Sequence, residues 1–360
     1  MPAIPIQNIY YLLSYAWDLL EEADELAVDT EDLPQVLDLV ARLLTLGTQR
    51  LLRRGMDRGY LPQTEVLSTL RGRIDFGASV KRLLLVQCKA QCDFEEFLPD
   101  LLHNQILKAT IQTLATAEGL AFRQRRDLHI LLRRMDGISP LHLRKAHFAE
   151  ARLHRNNAHY RLLMHLCELA FDNLLVNEQT GQSIFRNFLR DKRQMARLFE
   201  RFVANFYRKE TPWKVSPQEK IPWETSTPHE LLPEMNADAV LRGFGRTIVI
   251  ECKFYQETLQ SGRWSEKPRL RSHHLYQLSA YMENLRCKLP VASQLEGIII
   301  YPVVNSVLCE DLILAGNEIR VSTLELNAPW EQVSLQMKEI VDGCSATGSS
   351  PMLMNGQVVM

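Results

Sequence analysis

Along residues 8–20 the apolar positions Ile9, Leu12, Leu13, Ala16, Trp17 and Leu20 recur at steps of three and four. That rhythm puts them on one face of a helix, so Asn8–Leu20 is expected to be helical. Residues 33–55 repeat the rhythm and read as a second amphipathic helix. From Tyr60 to Cys92 the pattern changes. Short β-prone runs (Glu65–Leu67, Arg73–Phe76, Leu83–Cys88) are punctuated by Gly72 and Gly77, which suggests a small sheet of short strands. Residues 96–135 return to a helical pattern, Gly137-Ile-Ser-Pro140 breaks it, and a further helical stretch covers 157–177.

The second half has a different order. Met195–Arg208 predicts a helix with Leu198, Phe199, Phe202, Val203 and Phe206 on its apolar face. Prolines 212, 217, 222, 228 and 233 make 211–233 an irregular connection. A strand around Ala237–Leu241, a tight Gly243-Phe-Gly245 turn and a strand Thr247–Lys253 follow. A polar, basic loop then runs to His273, ahead of a helix at Leu275–Leu285 and a strongly apolar strand at Gly297–Val303. This alternation predicts an α/β domain with a central mixed sheet flanked by helices, in a chain of mixed α+β character overall. The expected division is an N-terminal domain at 1–160, with helices and a small β module near 60–95, and an α/β domain at 161–342. Residues 343–360, rich in Ser, Gly and Met, read as a disordered tail.

Composition adds exclusions. With 46% hydrophobic and 24% charged residues, the chain is an ordinary globular one. Its longest apolar runs, such as Leu83–Val86 and Gly297–Tyr301, are far below the ~20 residues that span a bilayer. No Lys or Arg precedes Arg42, so a signal peptide is not expected and the chain reads as cytoplasmic, with no membrane partner. The seven cysteines read as reduced thiols. Residues 1–41 carry nine acids and no base, so against a net charge of −1 the remainder carries +8. A near-neutral average therefore does not exclude a nucleic-acid partner.

The chemistry concentrates in Leu231-Leu-Pro-Glu-Met-Asn-Ala-Asp238 and Ile248-Val-Ile-Glu251-Cys-Lys253. Alternate residues of a strand share a face, so Glu251 and Lys253 project together from the end of an apolar strand. Asp238, on the preceding strand across a short turn, can reach the same point. Two carboxylates, a backbone carbonyl and water make a hard oxygen site suited to Mg²⁺. Such an ion lowers the pKa of a bound water and bridges a phosphate oxygen, and Lys253 can neutralise charge on that phosphate. The simpler alternative is an ion pair at a strand end.

Glu200 is either a third metal carboxylate or a solvent-facing residue paired with an arginine. Gln277 and Tyr281, four apart on one helix face, are candidates for DNA backbone or metal-bound water, or else polar surface. Arg263, Lys267 and Arg269 follow the Glu-x-Lys strand as DNA-contact candidates. Cys88 and Cys92 lack a second pair at zinc spacing, and His273-His274 reads as a capping or surface pair. There is no Walker motif, so any nucleotide hydrolysis belongs to a partner.

Asp238 … Glu251-Cys-Lys253 resembles the signature of the PD-(D/E)xK nuclease superfamily, and Gln277-x-x-x-Tyr281 is similar to the accessory motif of its RecB-like branch. The opening Ile4-Pro-Ile-Gln-Asn-Ile-Tyr-Tyr-Leu-Leu-Ser-Tyr-Ala-Trp17, Arg71-Gly-Arg-Ile-Asp-Phe76, Gly137-Ile-Ser-Pro-Leu-His-Leu143, Leu232-Pro-x-Met-x-x-Asp238 and Ile300-Tyr-Pro302 resemble the McrC family over roughly residues 4–340. Members of that family are nuclease subunits of modification-dependent restriction systems. The resemblance implies a restriction-endonuclease-like fold, Mg²⁺-dependent cutting of DNA containing methylated cytosine, and a hexameric AAA+ GTPase partner of the McrB type that binds the GTP. It also implies that the N-terminal half contacts that ring. Ala237 stands where the signature has proline. A second reading remains open, in which the chain is chiefly a regulatory activator of the GTPase ring.

Overall fold

The computed structural model describes residues 4–20, 33–176, 183–227, 230–254, 260–262, 265–290, 293–303 and 307–343. The chain divides into two compact units, Leu19–Phe188 and a second unit formed by Met1–Asp18 with Leu189–Met360.

The Leu19–Phe188 unit contains helices Val36–Arg54, Leu102–Ala115, Phe122–Arg133 and Arg161–Asn173. Their apolar stripes, including Leu39, Val40, Leu44, Ile106, Ile111, Leu128 and Leu166, are almost wholly buried. Strands β1 (Gly59–Leu67), β2 (Arg73–Asp75) and β3 (Ala90–Leu98) form an antiparallel sheet in the order β1-β3-β2. Only Ala90, Cys92 and Phe94, with Leu67 and Ile74, form its core. Asn104 Nδ2 donates to the carbonyls of Asp57 (2.9 Å) and Pro99 (2.7 Å), tying the two stems of this module together. A two-stranded pair, β4 (Leu174–Val176) and β5 (Ser183–Phe185), completes the unit.

The expected third strand at Leu83–Cys88 is not one. Leu83 (φ 51°) and Cys88 (φ 55°) are left-handed and flank a short 3-10 turn at Leu85–Gln87. The strand starts two residues later, where Ala90, Cys92 and Phe94 alternate inward. The helical pattern read from 96 likewise begins only at Leu102.

The second unit is built on a six-stranded sheet in the order β12-β13-β11-β8-β7-β6. Its strands are β6 (Lys214–Ile221), β7 (Met235–Gly243), β8 (Arg246–Cys252), β11 (Gln294–Pro302), β12 (Cys309–Leu314) and β13 (Asn317–Leu324). A small hairpin of β9 (Gln260–Gly262) and β10 (Ser265–Arg269) lies outside it. Strand β11 runs parallel to both β8 and β13, and the other pairings are antiparallel. Its continuous apolar run suits a strand covered on both faces.

The Lys192–Glu210 helix covers one face, and the Tyr207 hydroxyl donates to the Met337 carbonyl (2.7 Å) of the Trp330–Asp342 helix. The Ser272–Arg286 helix covers the other. Gly297 allows that helix to approach. A Cβ there would lie 2.5 Å from Met282 Sδ and 2.8 Å from Leu278 Cδ2.

Three expectations are corrected here. The 211–233 stretch contains a strand, β6. Pro217 is tolerated because β6 is a sheet edge, where a missing N–H leaves no ladder bond unmade. The domain boundary falls at 188/189, and residues 1–18 pack with the C-terminal unit. Asn8 Nδ2 donates to the Leu326 and Ala328 carbonyls (2.8 and 2.7 Å), Tyr11 stacks on Trp330 at 4.3 Å, and Asn205 Nδ2 donates to the Tyr15 carbonyl (2.8 Å). Cysteines 88, 92, 167, 252 and 287 are free thiols, whereas Cys309 is disulfide-bonded. The expected disordered tail lies outside the described residues from 344 onward. Among the described residues, no helix is long and apolar enough to cross a membrane.

Candidate active site

The β7–β8 hairpin turns through Phe244 (φ 53°) and Gly245 (φ 73°), two adjacent left-handed residues. Such a two-residue turn matches the twist of the strands and fixes their register. Ala239 pairs with Ile250 and Val240 with Val249. One further step along that register sets Asp238 opposite Glu251, so the two carboxylates meet at the strand ends.

Asp238 Oδ2 accepts from the backbone N–H of Cys252 (2.8 Å), and Oδ1 accepts from Gln218 Nε2 (3.3 Å). Glu251 Oε1 accepts from Lys253 Nζ at 2.5 Å. Glu251 Oε2 is buried and makes no hydrogen bond. Lys253 Nζ also donates to Gln277 Oε1 (2.8 Å), and Gln277 Nε2 donates to the Tyr281 hydroxyl (2.8 Å). A chain of polar contacts therefore runs from β8 to the Ser272–Arg286 helix, whose close approach Gly297 permits.

The electrostatics are those of crowded acids. Burial, reinforced by the charge of Asp238 and opposed by Lys253, pushes the Glu251 carboxyl up to about 8. Glu200, half-buried on the Lys192–Glu210 helix, is pushed up to about 7 by burial and by Asp238, against Lys253, Arg197 and Arg201. Burial also raises Asp238, against the Cys252 N–H and Lys253. Among the described residues, no three His, Cys, Asp or Glu side chains converge closely enough to ligate one ion by themselves. The oxygen set nevertheless fits Mg²⁺, which takes one or two carboxylates and keeps several waters. The buried, unbonded Glu251 Oε2 is the atom that asks for such a cation.

The structure thus brings Asp238, Glu251 and Lys253 together, with Glu200 close enough for its carboxyl to feel the charges of Asp238 and Lys253. Gln277 and Tyr281 belong to the same network but are engaged inward. Tyr281 is buried, and the half-buried Gln277 bridges Lys253 and the Tyr281 hydroxyl. Arg269 is exposed at the end of β10; Arg263 and the Lys267 side chain lie outside the described residues. His274 is no surface residue: it is buried, with Nδ1 2.6 Å from the Tyr301 hydroxyl, and burial depresses its pKa to about 3. Sequence reasoning missed Gln218, which lies in the proline-rich stretch and carries no motif signal.

The chain is similar to known proteins. A curated relative, the type IV methyl-directed restriction enzyme EcoKMcrBC of Escherichia coli (strain K12), is 28% identical over 345 residues, covering 95% of this chain and 98% of its own. A refined half-complex of Thermococcus gammatolerans McrB AAA+ hexamers with bound McrC, from a tetradecameric assembly, superposes with a TM-score of 0.60 at 18% identity. It covers 94% of this chain and 75% of the other. At that identity the likeness establishes the fold. The family profile described as McrBC 5-methylcytosine restriction system component matches residues 7–302, well over half of the sequence, and the chain belongs to that family.

Proposed function

We propose that this chain is the DNA-cutting subunit of its restriction system, a Mg²⁺-dependent endonuclease. The observation that carries the reading is Asp238, one step beyond the Ala239–Ile250 pair and bonded to the Cys252 N–H, beside Glu251, which has Lys253 on one oxygen and the other oxygen buried and unbonded. Asp238 and Glu251 would hold the metal, with Glu200 near enough to add charge. Once bound, the ion supplies activation of water and neutralisation of phosphate charge. Lys253 stands where its ammonium can neutralise charge on the attacked phosphate. Gln277 and Tyr281 hold that ammonium in place, and the hydrophobic floor of Val240 and Val249 keeps the acids desolvated.

The proposed partner is a McrB-like hexameric AAA+ GTPase that binds the GTP and reads methylated cytosine in double-stranded DNA. Support comes from the archaeal structure, which contains McrB AAA+ hexamers with McrC. The β1–β3 module, exposing Tyr60, Phe76, Leu83, Val86 and Phe97, is the proposed docking element, and stimulation of GTP hydrolysis its effect. The alternative, a purely regulatory subunit, has no use for a buried carboxylate pair with an unbonded oxygen.

The test mixes the chain with its AAA+ partner, GTP and methylated DNA. Cutting should require Mg²⁺, stop with EDTA, and be lost in Glu251→Gln. Undiminished cutting by Glu251→Gln would remove this site from the reaction.

A further inference from the structure

Gln218 combines two features that no other described residue shares. It sits inside strand β6 yet has φ 47°, a left-handed conformation disfavoured for a residue with a side chain. The other left-handed non-glycine residues all lie outside strands. The flanking pairs Pro217↔Ala239 and Glu219↔Ala237 keep one register, so no residue is inserted, and Gln218 alone departs from the ladder where it passes Asp238. Its Nε2 lies 3.3 Å from Asp238 Oδ1. Backbone strain that persists beside a candidate site is held there by surrounding structure. Here Arg242 on β7 provides the hold, gripping Glu219 through two bonds of 2.6 and 2.5 Å, one residue beyond the strained position.

We infer that Gln218 is a positioning residue for the metal ligand Asp238: β6 is bent into a left-handed residue so that its amide fixes the Asp238 carboxylate. The Asp238 carboxylate then receives one donor from each neighbouring strand, Gln218 Nε2 on Oδ1 and the Cys252 N–H on Oδ2. Each oxygen accepts one hydrogen bond and keeps a lone pair for a cation. With both oxygens tethered, the carboxylate plane cannot rotate, and the ligand is preorganised before any ion arrives. At 3.3 Å the Gln218 contact lies just beyond the usual N–H···O range of about 2.7–3.2 Å, as expected of a contact that tightens when a cation holds the carboxylate. The inference rests on the proposed nuclease reading and adds a residue to it.

Three variants test it: Gln218→Gly, Gln218→Asn and Asp238→Ala. Glycine accepts the left-handed backbone freely, and Asn tolerates it better than most residues, yet neither reaches Asp238. A merely structural role predicts unchanged Mg²⁺ binding in both. The inference predicts that both keep or raise the Tm of the metal-free chain while weakening Mg²⁺ binding about 10-fold, read by calorimetry without DNA. Cutting in the complex should then need correspondingly more Mg²⁺, with saturating metal restoring the rate. If Asp238→Ala loses metal binding but Gln218→Gly and Gln218→Asn bind Mg²⁺ like the parent, the positioning role is overturned and the nuclease site survives. If Asp238→Ala itself binds Mg²⁺ and cuts normally, the underlying site is wrong.

Discussion

Lys253 Nζ donates to Gln277 Oε1 at 2.8 Å, joining the end of β8 to the helix above it. The bond ties the ammonium to that helix as well as to Glu251, and so helps to fix its direction. Gln277→Ala should therefore lower cutting about 10- to 100-fold, the range seen when a supporting partner of a metal-site residue is removed. Tyr281→Phe, which deletes only the hydroxyl acceptor for Gln277, should cost a few-fold. Single-turnover cleavage rates check both, and equal losses in the two variants would mean the lysine is held some other way.

The crowded carboxylates set a pH dependence. Glu251 and Glu200 both have ordinary values of 4.5, raised to about 8 and about 7 in the folded chain. A raised carboxyl binds more protons folded than unfolded, so metal-free stability falls as pH climbs through this window. Mg²⁺ competes with those protons. Its stabilisation should be small near about pH 5 and grow toward about pH 8. Thermal melts in EDTA and in Mg²⁺ across that range give the answer; a metal-induced Tm shift independent of pH would contradict the assignment.

Gly297 is where helix position and chemistry meet. Adding one methyl group at Gly297→Ala drives it into Met282 and Leu278, both fully buried, so one of them must shift. Overpacking of this kind costs about 1–3 kcal/mol. Because the displaced helix carries Gln277, cutting should fall by more than the stability loss explains. Chemical denaturation paired with cleavage measures both; an active, equally stable variant would refute the packing argument.

The N-terminal helix supports a parallel prediction. Asn8→Ala strips the side-chain donor from the Leu326 and Ala328 carbonyls, which should destabilise the C-terminal unit by about 1–3 kcal/mol. At this chain length that is a Tm loss of several degrees, on the order of 2–4 °C per kcal/mol. No change in Tm would show that residues 1–18 are dispensable to that unit.

These relationships were unequally legible in the sequence. The apolar run before Glu251 and the glycine-bounded turn declared β7, β8 and the meeting of Asp238 with Glu251, because strand alternation and hairpin register are local rules. The helix near Ile6 was equally visible as an element. Its destination was not, since an amphipathic stripe states that it will be buried and not against what. Strand β6 hid beneath Pro217, whose edge position only the assembled sheet reveals. Leu83 and Cys88 misled because left-handed residues leave no mark in a β-prone run. Gln277 and Tyr281 were legible as one helix face at the site but their bond to Lys253 was not, and Gln218 was not legible at all: spacing shows which face of an element a residue occupies, while its partner is a property of the packed fold.

The central claim is that Asp238, Glu251 and Lys253 cut DNA and do nothing for the partner's nucleotide hydrolysis. Asp238→Ala, mixed with the AAA+ partner, GTP and methylated DNA, tests it with both activities followed in one reaction. Loss of a metal ligand should reduce cutting by orders of magnitude while GTP hydrolysis continues at the parental rate. Full cutting by Asp238→Ala would contradict the account.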